Sequence, residues 1–141
     1  MSYNTVILLL GSNLNQPEKN IEVALEHLES KIGAILRKSE ILITKPLEFD
    51  SLNNFCNIAV SLKTQISPFR LLKAIKSIER QMGRLRDSAD YGSYRDRIID
   101  IDIVLYNNIN FISRHLIIPH HKNLYERDFA TEIIDYVKQT I

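Results

Sequence analysis

Cysteine is nearly absent from these 141 residues: Cys56 stands alone. It cannot form an intramolecular disulfide, which fits a reducing compartment. Glycine is scarce, with only 4 in the chain. Gly11-Ser12-Asn13 follows an apolar run, but neither G-x-x-x-x-G-K-[ST] nor G-x-G-x-x-G occurs, which argues against Walker-type and Rossmann nucleotide binding. An excess of one charge is also missing, since 18 basic residues against 17 acidic ones leave a formal charge of +1. That balance calls for neither nucleic acid nor an anionic membrane as partner, so any anion site must be local. No segment approaches the roughly twenty apolar residues of a membrane helix. The run from Val6 to Leu10 is too short for a signal h-region and has no basic stretch before it, so the expected compartment is the cytoplasm. Repeats, low-complexity tracts and Gly/Ser/Pro-rich linkers are lacking, and residues 1–141 read as one domain with a single core. No Cys/His cluster has zinc spacing, and no serine sits in a nucleophile elbow.

What is present alternates between strand and helix signals. Thr5 to Leu10 is a continuous apolar run of the kind found in a central strand covered on both faces. Pro17 suits a first helical turn, and Ile21, Ala24, Leu25, Leu28 and Ile32 recur at helical spacing until Gly33. Ala34 to Thr44 and Phe55 to Thr64 are rich in Ile, Leu and Val and read as strands, with an irregular stretch from Lys45 to Asn54 between them. A second helix is predicted with Ser67 as N-cap and Pro68 first, burying Leu71, Leu72, Ile75, Ile78 and Met82 and stopping at Gly83. Arg84 to Arg97 is expected to be a mobile loop. Ile98 to Tyr106 is the last strong strand, and Asn123 to Lys138 carries a weaker helical pattern around Phe129, Ile133, Ile134 and Val137. The order β-α-β-β-α-β plus a final helix predicts an α+β, ferredoxin-like antiparallel sheet with helices on one face and a C-terminal helix. Because that arrangement hosts many functions, the side chains must carry the functional case.

Asp100 and Asp102 stand two apart in a strand, so both carboxylates share a face while Ile99, Ile101 and Ile103 take the other. Paired hard oxygen ligands suit Mg²⁺, although alternating charge is also how a solvent-facing strand ordinarily looks. Arg84, Arg86, Arg95 and Arg97 precede them, and guanidinium forks beside such a pair would serve a nucleoside triphosphate. Asp87, Asp90 and Asp96 keep open the plainer reading of a solvated loop. Pro119, His120, His121 and Arg127 form a second group of phosphate-ligand candidates. Phe55 and Asn57 share a strand face and could offer a ring and an amide to a planar heterocycle, while Cys56 points the other way and reads as a small buried hydrophobe.

Taken in order, several segments resemble the 6-hydroxymethyl-7,8-dihydropterin pyrophosphokinase family of folate biosynthesis. Gly11-Ser12-Asn13-Leu14 is similar to its GSN(L) signature, Thr44-Lys45-Pro46-Leu47 to its T-x-P-L loop, and Phe55 to Val60 to its (Y/F)-x-N-x-A-V strand. Ile78-Glu79 through Gly83-Arg84-Leu85-Arg86 resembles I-E-x-x-x-G-R-x-R, and Arg97 to Ile103 resembles R-x-x-D-(I/L)-D-(I/L). Pro119-His120 and Glu126 to Phe129 resemble the P-H and E-R-x-F elements. Four departures stand out. Tyr94-Arg95-Asp96-Arg97 replaces W-G-P-R after a longer loop, Glu48 to Asn54 replaces G-x-x-x-Q-P-(D/E), Lys76 stands where glutamine is common, and His120 to Arg127 holds one residue more than the family pattern.

The resemblance implies transfer of diphosphate from ATP to the pterin hydroxymethyl oxygen, by attack on the β-phosphorus with release of AMP. Two Mg²⁺ ions would be held by Asp100 and Asp102. The ATP ligands would be Arg84, Arg86, Arg97, Ile103, His120 and Arg127, with Arg84, Arg97 and the two aspartates catalytic. Phe55 and Phe129 would sandwich the pterin, with Thr44, Leu47 and Asn57 at its edge. The implied enzyme is a cytoplasmic monomer whose partners are these small molecules. A non-catalytic pterin- or nucleotide-binding member of the same fold, and a ferredoxin-like interaction module, are the alternative readings.

Overall fold

The computed structural model describes residues 3–45, 54–83 and 97–139. Its main sheet is antiparallel, built from β1 (Asn4–Ser12), β2 (Ile35–Lys38), β3 (Leu42–Thr44), β4 (Phe55–Thr64) and β5 (Asp100–Tyr106). The order is β2-β4-β1-β5, with β3 continuing along the same edge of β4 as β2. With β2 and β3 taken together as one strand, this is the ferredoxin-like order expected from the sequence. The break between them comes at Ser39. Its N–H donates to the Ala59 carbonyl at 2.9 Å, and its hydroxyl accepts from the Ala59 N–H at 3.0 Å, so a side chain replaces one rung of the ladder.

Two helices, α1 (Pro17–Lys31) and α2 (Pro68–Gln81), pack on one face of this sheet. Ile21, Ala24 and Leu28 of α1 and Leu71, Ile75 and Ile78 of α2 close over Val6, Leu8 and Leu10 of β1 and over Cys56, Ile58, Val60 and Leu62 of β4. Pro68 opens α2 after Ser67, which has extended backbone but makes no side-chain cap bond. At the other end Gly83 takes φ +106°, a conformation that glycine enters without steric cost.

The C-terminal helix, α3 (Asp128–Lys138), lies on the opposite face. Its Ala130, Ile133, Ile134 and Val137 pack on Ile7, Leu9, Ala59 and Val104. Cores on both sides explain why every residue of β1 from Val6 onward is buried. The segment read as one helix from Asn123 is instead a five-residue π-helical turn, Lys122–Glu126, followed by α3. A small hairpin, β6 (Phe111–Ile112) with β7 (Ile117–Ile118), precedes that turn.

Candidate active site

Among the described residues, α3 packs over only part of the length of its sheet face. Leu9 of β1 lies between Ala59 and Asp102, and one rung further along Gly11 lies between Asn57 and Asp100. Directly paired residues project to the same side of a sheet. The aliphatic patch under α3 thus passes within one strand period into Asn57, Gly11, Asp100 and Asp102. Gly11 contributes no side chain, so the place its Cβ would take beside Asn57 and Phe55 is a small recess in the rung, although Gly11 and Asn57 are themselves buried. A Cβ there would sit 3.3 Å from Asn57 Oδ1 and 3.6 Å from Phe55 Cδ1.

Asn57 is buried, and its Nδ2 donates to the Leu42 carbonyl at 3.1 Å and to Thr44 Oγ1 at 2.9 Å. A carbonyl can only accept, so the amide orientation is fixed by chemistry and Oδ1 faces the recess. Thr44 is thereby committed to holding Asn57. Half-buried Phe55 flanks the recess on β4, with the Arg97 guanidinium 5.4 Å from its ring centroid. Phe129, on the first turn of α3, packs part-buried against the second core on the same side of the sheet.

Each aspartate has distinct neighbours. Asp100 Oδ2 accepts from Arg97 Nη1 at 3.2 Å. Asp102 Oδ2 accepts from Asn123 Nδ2 at 3.1 Å and lies 3.7 Å from His120 Nε2. Burial, reinforced by the Asp100 charge, pushes the Asp102 carboxyl above the usual carboxylate range, against the opposing pull of His120, Asn123 and Arg127. About 24% of its side chain still meets solvent, so the group is accessible from one side. Close acidic groups in this state favour a cation between them.

Backbone irregularity brings His120 here. A register shift between Ile7 and Leu8 leaves an extra residue in β5, so that Val104 and Leu105 both turn toward the α3 core. The Val104 carbonyl then accepts from the His120 N–H at 3.0 Å. Asn123 N–H is 3.4 Å from His120 Nδ1, an arrangement that leaves Nε2 protonated and facing Asp102.

Three supporting residues, two of them within the motifs quoted above, have roles that the sequence does not assign. Asn13 grips the start of the aspartate strand, its Oδ1 accepting from Arg97 N–H at 2.7 Å and its own N–H donating to the Arg97 carbonyl at 3.1 Å. Glu79, almost wholly buried on α2, accepts from the Ile101 N–H at 2.9 Å, between the two aspartates, and lies 3.4 Å from Lys76 Nζ. Asn123 accepts from Arg127 Nη1 at 2.9 Å. An uncharged or acidic side chain so enclosed must find partners, but the sequence does not show which ones.

Thr44, Phe55, Asn57, Arg97, Asp100, Asp102, His120 and Arg127 are therefore placed along one end of one sheet face or bonded into it. Ile103 is buried in the core beneath α1 and α2, on the face opposite the aspartates as strand period predicts, which leaves its backbone rather than its side chain for a ligand. His121 is exposed and paired with Glu126 at 3.6 Å, away from Asp102. Leu47, Arg84, Arg86 and Arg95 lie outside the described residues. Among the described residues, no group of three or more His, Cys, Asp or Glu gathers as a metal cluster.

Residues 7–138 match the family model described as 7,8-dihydro-6-hydroxymethylpterin-pyrophosphokinase (HPPK). A curated relative from Porphyromonas gingivalis, named 2-amino-4-hydroxy-6-hydroxymethyldihydropteridine pyrophosphokinase, is 38% identical over 126 residues, covering 89% of this chain and 84% of its own. One of the same name from Bacillus subtilis is 34% identical over 129 residues, covering 90% and 74%. Among solved structures, an HPPK-DHPS in complex with substrates aligns at TM-score 0.62 and 17% identity, over 79% of this chain and 29% of that one. Plasmodium falciparum HPPK-DHPS aligns at 0.61 and 20%, over 85% and 37%. At those identities the structural likeness establishes the fold.

Proposed function

The chain belongs to the 7,8-dihydro-6-hydroxymethylpterin-pyrophosphokinase family, and from that premise we propose that the end of the sheet face left open by α3 is where it transfers diphosphate from ATP to 6-hydroxymethyl-7,8-dihydropterin in folate biosynthesis. The observation that carries this reading is the rung Asn57–Gly11–Asp100. It sets a recess with a fixed hydrogen-bond acceptor beside a pair of carboxylates, so a flat heterocycle and a charged phosphate chain would meet at one place. The pterin would lie over Gly11 between Phe55 and Phe129, with Asn57 Oδ1 accepting from its edge and the backbone near Thr44 and Leu47 completing the contacts.

The carboxylate pair fits Mg²⁺. Two hard oxygen donors two residues apart, with no third acidic, His or Cys ligand gathered among the described residues, suit an ion that keeps waters and takes phosphate oxygens as its remaining ligands. Asp100 and Asp102 would hold two such ions, which would supply positive charge between the phosphate oxygens and the protein. Arg97 stays beside Asp100 to meet the triphosphate, and His120 presents an N–H from the other side. Arg127, Arg84, Arg86 and the backbone of Ile103 are the further nucleotide ligands. Phosphoryl-type transfer needs positioning and charge stabilisation more than covalent help from the protein, which is what this set of side chains offers. Attack by the pterin hydroxymethyl oxygen on the β-phosphorus would form one P–O bond as the bond to the AMP oxygen breaks, with the hydroxyl proton released to solvent.

We read residues 1–141 as one domain, acting as a monomer in the cytoplasm. The test is AMP release by folded protein that requires both Mg²⁺ and 6-hydroxymethyl-7,8-dihydropterin. Tight binding of both ligands without AMP would replace catalysis with a binding role, and absence of both would reject the site.

A further inference from the structure

Asn123 is fully buried within the π-helical turn, where Arg127 N–H closes a bond to the Lys122 carbonyl at 2.9 Å. A π turn is wider than an α turn by one residue, which changes the direction in which its side chains project. This turn directs the Asn123 amide between two charged groups. Nδ2 donates to Asp102 Oδ2 at 3.1 Å, and Oδ1 accepts from Arg127 Nη1 at 2.9 Å. A guanidinium can only donate and an ionised carboxylate only accept, so the amide has one orientation that satisfies both. A neutral amide in this position has a consequence that a direct Arg–Asp pair would not. It ties Arg127 to Asp102 and fixes one carboxylate oxygen, yet leaves more of the aspartate's negative charge for a cation than a direct guanidinium–carboxylate pair would.

We propose that Asn123 is a positioning residue that sets the affinity of Asp102 for the metal–nucleotide complex while holding Arg127 one amide away. A purely structural role, satisfying buried groups so that the turn can pack, is the alternative. The inference rests on Asp102 being a metal ligand, as proposed above, and the experiment separates the two.

A non-hydrolysable ATP analogue is titrated calorimetrically into wild type, Asn123→Ala and Asn123→Leu over a series of Mg²⁺ concentrations. Leucine keeps the buried volume if the alanine variant does not fold. The Mg²⁺ concentration for half-maximal analogue binding should rise by about 10- to 100-fold in the variants, the usual consequence of losing an outer-shell partner of a metal ligand. Saturating Mg²⁺ should then restore wild-type analogue affinity, which a packing defect would not allow. An unchanged Mg²⁺ midpoint in a folded variant, or a loss of affinity that saturating Mg²⁺ fails to restore, overturns the inference alone. Wild-type analogue binding that ignores Mg²⁺ overturns the metal role of Asp102 and this inference with it.

Discussion

Gly11→Ala separates folding from binding. The added methyl would stand in the recess, 3.3 Å from Asn57 Oδ1 and 3.6 Å from Phe55 Cδ1. Asn57 yields little because both its amide hydrogens are engaged by Leu42 and Thr44. Replacing glycine inside a strand recovers about 0.5–1 kcal/mol of backbone entropy. The close approach to Asn57 offsets part or all of this, so the net stability change should stay within about 1 kcal/mol. A ligand lying on the recess floor has no such compensation. Inserting a methyl into a packed contact costs about 1–3 kcal/mol, or about 5- to 150-fold in pterin affinity. Urea unfolding gives the first quantity, and calorimetric titration of pterin against protein saturated with Mg²⁺ and a non-hydrolysable ATP analogue gives the second. A stable variant that binds pterin like wild type would show that the ring does not lie over Gly11. A loss of stability above about 3 kcal/mol would show that Asn57 and Phe55 are held more rigidly than the reasoning assumes.

Asp100→Ala and Asp102→Ala should each lower AMP production by at least about 100-fold, the scale of losing a group that holds transition-state charge, with the circular dichroism spectrum preserved; wild-type turnover in either removes that residue from the site. Asp102→Asn should stabilise the metal-free protein at neutral pH, because a carboxyl with raised folded-state pKa costs stability when ionised. That advantage should shrink as pH falls through the folded pKa and be gone below the unfolded value of about 3.9, as followed by thermal unfolding across pH; an advantage that grows on acidification would contradict the sign. Glu79→Ala should cost about 1–3 kcal/mol by orphaning the buried Ile101 N–H, and Glu79→Gln should recover most of it in the same urea assay; equal losses would mean that the carboxylate charge matters more than the hydrogen bond. Cys56, buried and with its thiol pushed up by burial and the Glu18 charge, should react with iodoacetamide only on unfolding. Labelling of the native protein would show that this strand end opens.

The elements most legible in the sequence are those whose signals are local. Pro17 and Pro68 mark the starts of α1 and α2, Gly83 marks the end of α2 with a positive φ, and the unbroken apolar run of β1 reflects a core on each side. The shared face of Asp100 and Asp102 follows from strand period alone, and the structure places Ile99, Ile101 and Ile103 in the opposite core. Non-local bonds hide from this kind of reading. Ser39 interrupts a β-rich run because its hydroxyl serves Ala59, twenty residues away. The bulge that carries His120 to Asp102 depends on how β5 registers against β1. The helical pattern from Asn123 onward is real, but a π turn shifts its phase before α3, so periodicity merged the two. Asn13 and Glu79 stand in recognisable motifs, but what they hold becomes visible only when the strand they grip is in place.

The same face of one sheet supports both the second core and the proposed chemistry, and β5 shows how a chain accommodates this. Its residues on that face run from Asp100 and Asp102 to Val104, acidic where α3 has ended and aliphatic where α3 covers. Two carboxylates beside an apolar cluster are unfavourable for the folded state, as the raised Asp102 pKa records. They are tolerated because stability is concentrated elsewhere, in the aliphatic layer under α1 and α2 and in the four α3 residues on Ile7, Leu9, Ala59 and Val104. Arg97, His120 and Asn123 lower the cost without removing it: each approaches one aspartate, and none joins the pair. A site neutralised completely by its own side chains would have little free energy left with which to bind a cation and a polyphosphate. In the proposed site, the cost that Asp102 still carries despite its neighbours is the physical basis on which this fold would exchange stability for affinity.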